Sequence, residues 1–198
     1  MSYKKEWLSS DSKIDLYSSS IYYFINYYRS NDVRGLNEDD KRLINSKRLL
    51  DFKDGNNNNY YYFEKCLSSH YDDLGDGEWI VCSIPGHDQI TNSPNHMDRF
   101  LKSIFLPINI KSVPGLIIRK QIMPKKHGDD YGDKTVERDL ESYKFGVNMD
   151  LRGKNVLILD DIVTTGTSLV AARYFLRKCG ANKIVCLAFG RTAFLYGQ

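Results

Sequence analysis

Asp160 and Asp161 are adjacent carboxylates at the end of an uncharged run, Val156-Leu157-Ile158-Leu159, and Ile162-Val163 leads from them into Thr164-Thr165-Gly166-Thr167-Ser168. Two ionised acids side by side repel each other unless a ligand offsets them. The hydroxyl residues and the glycine that follow let successive backbone N–H groups turn toward a phosphate. The helical pattern opening at Thr167 or Ser168 adds the positive end of a helix. Such a turn holds phosphate without any lysine. The carboxylates would repel that phosphate, so their partners are sugar hydroxyls, which donate to carboxylates, or a divalent cation bridging sugar and pyrophosphate. A ligand joining phosphate, vicinal hydroxyls and pyrophosphate satisfies the whole stretch. The plainer alternative is a strand, turn and helix with an acid-rich turn, which leaves the repulsion unexplained.

These residues need a rigid mount. The unbroken apolarity of Val156 to Leu159 predicts a strand covered on both faces, with its charged end at the ligand-binding edge of a parallel sheet. Glu78 to Ile84 reads as another such strand, broken by Pro85-Gly86-His87-Asp88. Leu116-Ile117-Ile118, after the Pro114-Gly115 turn, reads as a second core strand, and Lys183 to Phe189 as the last. Helical patterns lie between them. One starts at Ser93-Pro94 and buries Met97, Phe100, Leu101, Ile104 and Phe105. A second is capped by Thr135 and runs through Val136, Leu140 and Tyr143 to Phe145-Gly146. A third carries Leu169, Ala172, Phe175, Leu176 and Cys179 before Gly180. Alternation from residue 78 onward implies an α/β fold with a mainly parallel sheet flanked by helices, and a core at 78–198.

Residues 1–77 read as a small N-terminal hood packed on that core. Within them 1–20 has no legible role, and Ile21 to Tyr28 fits a helical stripe as well as an aromatic strand packed in the core. A helix capped at Asn37 runs to Phe52, a polar loop follows at Asn56 to Asn59, and a short helix carries Tyr62, Phe63, Cys66 and Leu67. Residues 121–134 have no apolar periodicity and are expected to form a mobile loop.

The chain has 198 residues and a net charge of +3, too mild to imply a nucleic-acid partner. No apolar run reaches transmembrane length and the start lacks a signal-peptide core, so a cytoplasmic protein with no membrane partner is expected. Cys66, Cys82, Cys179 and Cys186 show no Cys-x-x-Cys spacing and read as reduced thiols, mostly in the core.

The run Leu159 to Ser168 resembles the phosphoribosyl pyrophosphate (PRPP) loop of type I phosphoribosyltransferases: apolar strand, acidic pair, and Thr-Gly-Thr/Ser turn in fixed order. The resemblance implies displacement of pyrophosphate from C1 of PRPP by a nitrogen nucleophile, with release of pyrophosphate. Asp160 and Asp161 would hold the ribose hydroxyls. Val163, Thr164, Thr165, Gly166, Thr167 and Ser168 would hold the 5′-phosphate. Ile84, Pro85, Gly86 and His87 would take pyrophosphate, with Lys125 and Lys126 closing over it and Lys126 acting in catalysis. Mg²⁺ would be bound mainly through ligand and water oxygens, with Asp160 and Asp161 as the protein's contribution.

Within that superfamily the layout is similar to the ComF-like, amidophosphoribosyltransferase-related proteins associated with DNA uptake. The similarity rests on Tyr22 to Tyr28, on Leu49-Leu50-Asp51-Phe52-Lys53, on Ile80 to Pro85, and on the tail Gly180 to Thr192 ending in Arg191-Thr192. The sequence departs from that group in having no four-cysteine zinc module and no Arg-Gly-Phe-Asn-like segment. In purine-type members a carboxylate follows the acidic pair as general base; here that position is Thr164, a poor base, which favours an amine or an already anionic ring as acceptor. The other reading is a non-catalytic PRPP- or nucleotide-binding protein that regulates or assists DNA uptake. DNA or DNA-uptake proteins as partners are not indicated by the charge. A homodimer is left open.

Overall fold

The computed structural model describes residues 21–56, 59–91, 93–123 and 136–193. Five strands, β1 (Ile21–Tyr27), β2 (Trp79–Ser83), β3 (Ile110–Ser112), β6 (Asn155–Val163) and β7 (Ile184–Thr192), form one sheet in the order β1-β7-β6-β2-β3, and every pairing is parallel. Two shorter strands, β4 (Ile117–Arg119) and β5 (Tyr143–Phe145), pair antiparallel as a separate ribbon. The helices are α1 (Lys41–Lys53), α2 (Tyr60–Ser68), α3 (His96–Ser103), α4 (Val136–Ser142) and α5 (Thr167–Lys178). The expected α/β architecture, a parallel sheet flanked by helices, is what the chain adopts.

β6 lies inside the sheet because its apolar run has neighbours on both faces. Val156 and Ile158 join the core formed with α5 and the β4–β5 ribbon, while Leu157 and Leu159 join the core under α1, α2 and α3. All four are buried. The second core is organised on Phe52, whose ring meets those of Tyr60, Phe63, Phe100 and Phe189 at centroid distances of 5.3, 5.0, 5.4 and 5.1 Å. Offset and edge-on ring contacts of this kind add to area burial, and here they hold the C-terminal end of α1, with Lys53 next to Phe52, over the sheet.

Of the residues expected to form an N-terminal hood, Ile21–Tyr27 is an edge strand of the core sheet itself, with Ile21, Tyr23 and Ile25 buried. α1 and α2 cover one face. Period-two burial and parallel pairing to β7 resolve the strand-or-helix ambiguity of this segment. Three other expectations are corrected. Leu116-Ile117-Ile118 does not enter the core sheet. After Gly115, at φ +68°, the chain turns into β4, and the outer strand beside β2 is the three-residue β3. The helix after residue 135 stops at Ser142, and Tyr143–Phe145 extends as β5. α1 is capped by Asp40, whose carboxylate accepts the Arg42 N–H at 2.8 Å, rather than by Asn37.

Candidate active site at the C-terminal edge of the sheet

Parallel strands put their C-terminal ends on one rim, and the registers here bring three of them together. Ser83 lies opposite Leu159, Asp160 opposite Ala188, and Val163 opposite Arg191. The Ile84 N–H donates to the Leu159 carbonyl at 2.9 Å, so the Ile84–His87 loop starts beside the acidic pair. On the other side, the Thr164 and Thr192 hydroxyls are 2.9 Å apart, tying the turn after β6 to the end of β7.

Gly166 carries the turn. Its φ of +77° is left-handed, a conformation that favours glycine, and a Cβ there would come within 2.6 Å of Ile21 Cδ1, so that side chain would have to shift to admit one. As the N-cap of α5 it offers no side chain to the first-turn N–H groups. Those donors lack intrahelical partners and face the rim with the positive end of the helix. The Thr165 and Thr167 hydroxyls are 2.8 Å apart at the same turn. The Ser168 hydroxyl is engaged elsewhere: it donates to Asp139 Oδ2 at 2.8 Å.

The two acids are not equivalent. Asp161, 8% exposed, has His96 Nε2 at 3.0 Å and Lys53 Nζ at 3.5 Å from Oδ2, while its Oδ1 accepts the Ile162 N–H at 2.6 Å. Burial works to raise its pKa, but the His96 contact and the Lys53 charge together hold the carboxyl below the ordinary range. Asp160 remains partly reachable by solvent and accepts the Asp161 N–H at 2.9 Å. Its surroundings, and next the negative charge of Asp161, push its pKa well above the ordinary value. The two carboxyls are thus pushed in opposite directions, Asp161 toward the anion and Asp160 away from it. Among the described residues no group of three or more His, Cys, Asp or Glu side chains could cage a metal ion. The acidic pair fits an ion that comes with a phosphorylated ligand and keeps most of its water, with Asp160 as the more available oxygen donor.

The Ile84–His87 loop rests on a polar cluster. Fully buried Asp98 accepts Ser83 Oγ–H at 2.6 Å and the Gly115 N–H at 3.1 Å through Oδ1, and the Gln89 amide at 2.6 Å through Oδ2. Gln89 Oε1 in turn accepts the Gly86 N–H at 3.1 Å and the Asn95 amide at 2.7 Å, and Asn95 also donates to the Ile84 carbonyl at 3.2 Å. With this many donors around it, the buried carboxylate is satisfied without a cation.

Sequence reasoning placed Asp160, Asp161, Ile84–His87 and Thr164–Ser168, and the fold brings all of them to one rim. Lys125 and Lys126, with the loop expected to carry them, lie outside the described residues. The chain enters that stretch from Met123, whose N–H donates to the His87 carbonyl at 2.7 Å, and re-emerges at α4, whose Asp139 meets Ser168. His96, which no motif in the sequence singles out, is set against Asp161 by the fold. Lys53, Asp98, Gln89 and Asp139, which contact or brace these groups, were not singled out in the sequence for the site either. One local signal was available for α3. The Asn95-x-x-Asp98 spacing is that of a reciprocal cap, which the helix makes.

In open parallel α/β sheets ligands bind at the C-terminal edge of the strands, where the acidic strand end and the uncapped helix turn lie here. Comparison with known families adds to this. Residues 124–193 match the family model for the phosphoribosyl transferase domain. A ribose-phosphate pyrophosphokinase from Pyrococcus furiosus is 52% identical over 42 residues, which are 21% of this chain and 15% of that protein. The corresponding enzyme from Thermococcus kodakarensis is 58% identical over 38 residues, 19% of this chain and 14% of its own. An adenine phosphoribosyltransferase from Mycolicibacterium smegmatis is 38% identical over 73 residues, 34% of this chain and 37% of that protein. The chain thus spans well under half the length of the curated relatives it matches. These matches support a place in the type I phosphoribosyltransferase superfamily.

Proposed function

We propose that this chain is a Mg²⁺-dependent phosphoribosyltransferase that moves the 5-phosphoribosyl group of PRPP to a nitrogen acceptor and releases pyrophosphate. The observation that carries the reading is the junction of Asp160-Asp161 with the uncapped Gly166 turn of α5, beside the Ile84–His87 loop on the adjacent strand. The names of the relatives, a ribose-phosphate pyrophosphokinase and an adenine phosphoribosyltransferase, support a ribose phosphate as the ligand class.

In this reading the acceptor nitrogen forms a bond to C1 as the C1–O bond to pyrophosphate breaks, and the electron pair leaves with the pyrophosphate. Backbone N–H groups of the Thr164–Ser168 turn, with the Thr165 and Thr167 hydroxyls, hold the 5′-phosphate. Asp160 and Asp161 accept from the ribose hydroxyls and favour positive charge on the ring. The Ile84–His87 loop, braced by Gln89 and Asp98, takes pyrophosphate, with Lys125 and Lys126 over it. Bound Mg²⁺ would neutralise pyrophosphate oxygens, held by the ligand, water and Asp160 or Asp161.

The acceptor would be chosen by the piece N-terminal to residue 78, which delivers Lys53 to the rim. The Phe52-Lys53 helix end is also one of the features by which the chain resembles ComF-like proteins, and membership of that group is part of this proposal. Thr164, its hydroxyl paired with that of Thr192 where a general base would stand, favours an acceptor that needs no deprotonation; the second reading is a non-catalytic PRPP- or nucleotide-binding regulator of DNA uptake.

The test is to incubate the protein with PRPP, Mg²⁺ and candidate nitrogen acceptors and to follow pyrophosphate release, with calorimetric PRPP binding in parallel. Acceptor-dependent release supports transfer, and binding without release for every acceptor supports the regulator. Combined Asp160→Asn and Asp161→Asn should remove PRPP binding. Undiminished affinity in that variant refutes both readings.

A further inference from the structure

Arg119 is 5% exposed, at the end of β4, and does not belong to the acidic pair, the phosphate turn or the pyrophosphate loop. Yet it touches the supports of two of them. Its N–H donates to the Gln89 carbonyl at 2.8 Å, and Gln89 is the residue whose side chain accepts the Gly86 N–H of the Ile84–His87 loop. Its guanidinium lies over the Tyr143 ring, with Cζ 4.7 Å from the centroid. Nη1 donates to Asp139 Oδ1 at 2.8 Å and to the Ser142 hydroxyl, which itself donates to the Asp139 carbonyl at 2.6 Å. The other oxygen of Asp139 accepts the Ser168 hydroxyl of the α5 turn, and the Tyr143 hydroxyl donates to the Ser168 carbonyl at 3.3 Å. Arg119 therefore stands in one chain of hydrogen bonds between the loop after β2 and the turn after β6, its backbone N–H reaching Gln89 on the loop side and its guanidinium reaching Asp139 on the turn side.

We infer that Arg119, acting through Asp139, is a positioning residue that sets the α5 phosphate turn relative to the Ile84–His87 loop, so that both ends of one ligand meet donors at a fixed separation. This rests on the function proposed above. The Ser168 hydroxyl then acts by anchoring its own backbone to Asp139 and not by touching phosphate. The buried cation makes the link stiff, because a guanidinium 6% exposed that loses Asp139 is left without its counter-charge. Nη1 alone reaches Asp139 and Ser142 while the guanidinium plane lies over Tyr143, and that stacking is what a lysine ammonium does not reproduce.

The relay makes Ser168 and Asp139 a single energetic unit, and coupled neighbours give non-additive effects. The experiment is a double-mutant cycle with Asp139→Ala and Ser168→Ala, read by calorimetric affinity for ribose 5-phosphate. A relay predicts that each single change weakens binding about tenfold and that the pair weakens it no further, whereas independent phosphate contacts multiply to about a hundredfold. Arg119→Met should fall with the singles and Arg119→Lys should recover part of the affinity. In the ligand-free protein, Asp139→Ala should speed hydrogen exchange at the amides of Thr167 to Leu169 about tenfold while leaving β6 and β7 unchanged. A wild-type protein with no affinity for ribose 5-phosphate overturns the reading of the site. Wild-type binding with additive single effects, or with first-turn exchange unaltered by Asp139→Ala, overturns the relay alone.

Discussion

Replacing Asp160 with asparagine should make the ligand-free protein more stable while impairing the site. As a carboxylate, Asp160 is disfavoured by its surroundings and by Asp161. It is offset by the single Asp161 N–H at 2.9 Å and by a Lys53 charge that lies closer to its neighbour. Asparagine keeps the shape, can still accept that N–H, and removes the repulsion. Relieving a functional-site conflict of this kind is worth about 1–2 kcal/mol, which in a chain of this size is a rise in Tm of about 2–8 °C. Loss of a charged acceptor for a ribose hydroxyl costs about 1.5–3 kcal/mol, or roughly 10- to 150-fold in PRPP affinity. The sign with pH follows from the direction of the shift. The folded carboxyl titrates above the ordinary value of 3.8, so the folded state keeps a proton that the unfolded state has lost. This group's contribution to stability then falls as pH rises from about 4 through the folded pKa, and is level above it. The advantage of Asp160→Asn should be small near pH 4 and complete at alkaline pH. Urea unfolding of both proteins across that range decides the matter. A variant less stable than the parent at pH 8, or an advantage that does not change with pH, would show that Asp160 carries no such penalty.

Three further outcomes follow from the same geometry. His96→Ala leaves Asp161 with Lys53 as its cationic neighbour and should cost about 1.5–3 kcal/mol at pH 7. Because a lowered carboxyl stabilises above its ordinary pKa and loses that contribution as pH falls through the folded value, denaturant titrations at pH 7 and pH 3 should show the cost shrinking in acid; an equal cost at both would refute the pairing. Gly166→Ala forces a side chain into a left-handed position and against Ile21, for a loss of about 1–3 kcal/mol by chemical denaturation; a neutral result would mean that the turn does not hold its φ of +77°. Asp98→Ala strands the Ser83, Gln89 and Gly115 donors and should cost about 2–4 kcal/mol, accompanied by faster amide exchange at Gly86. Unchanged exchange there would separate this cluster from the loop it is held to brace.

What could be read directly was contiguous. The apolar run of β6, the acids at its end and the Thr-Gly turn succeed one another along the chain, and strand periodicity, charge and turn chemistry are local properties. The alternation of strands and helices, and hence the parallel sheet, was legible for the same reason. Segments whose state depends on a neighbour were not. Leu116-Ile117-Ile118 is apolar enough for a core strand, but only the chain's direction after Gly115 decides that it pairs with Tyr143–Phe145. Ile21–Tyr27 became a strand because β7 offered it a parallel edge.

The sequence by itself determined which groups stand at the strand end and what they could bind. Tertiary structure decided their electrical state. His96 and Lys53 come from helices far from Asp161 in the chain, and packing around Phe52 helps bring them to it, so that of two identical neighbouring acids one has its pKa lowered and the other raised. The same holds for Arg119 and Asp139, whose link to Ser168 exists only because β4, α4 and α5 meet on one face. Charge pairing falls off steeply with distance in a folded interior, and distance is the one quantity that the order of residues does not state.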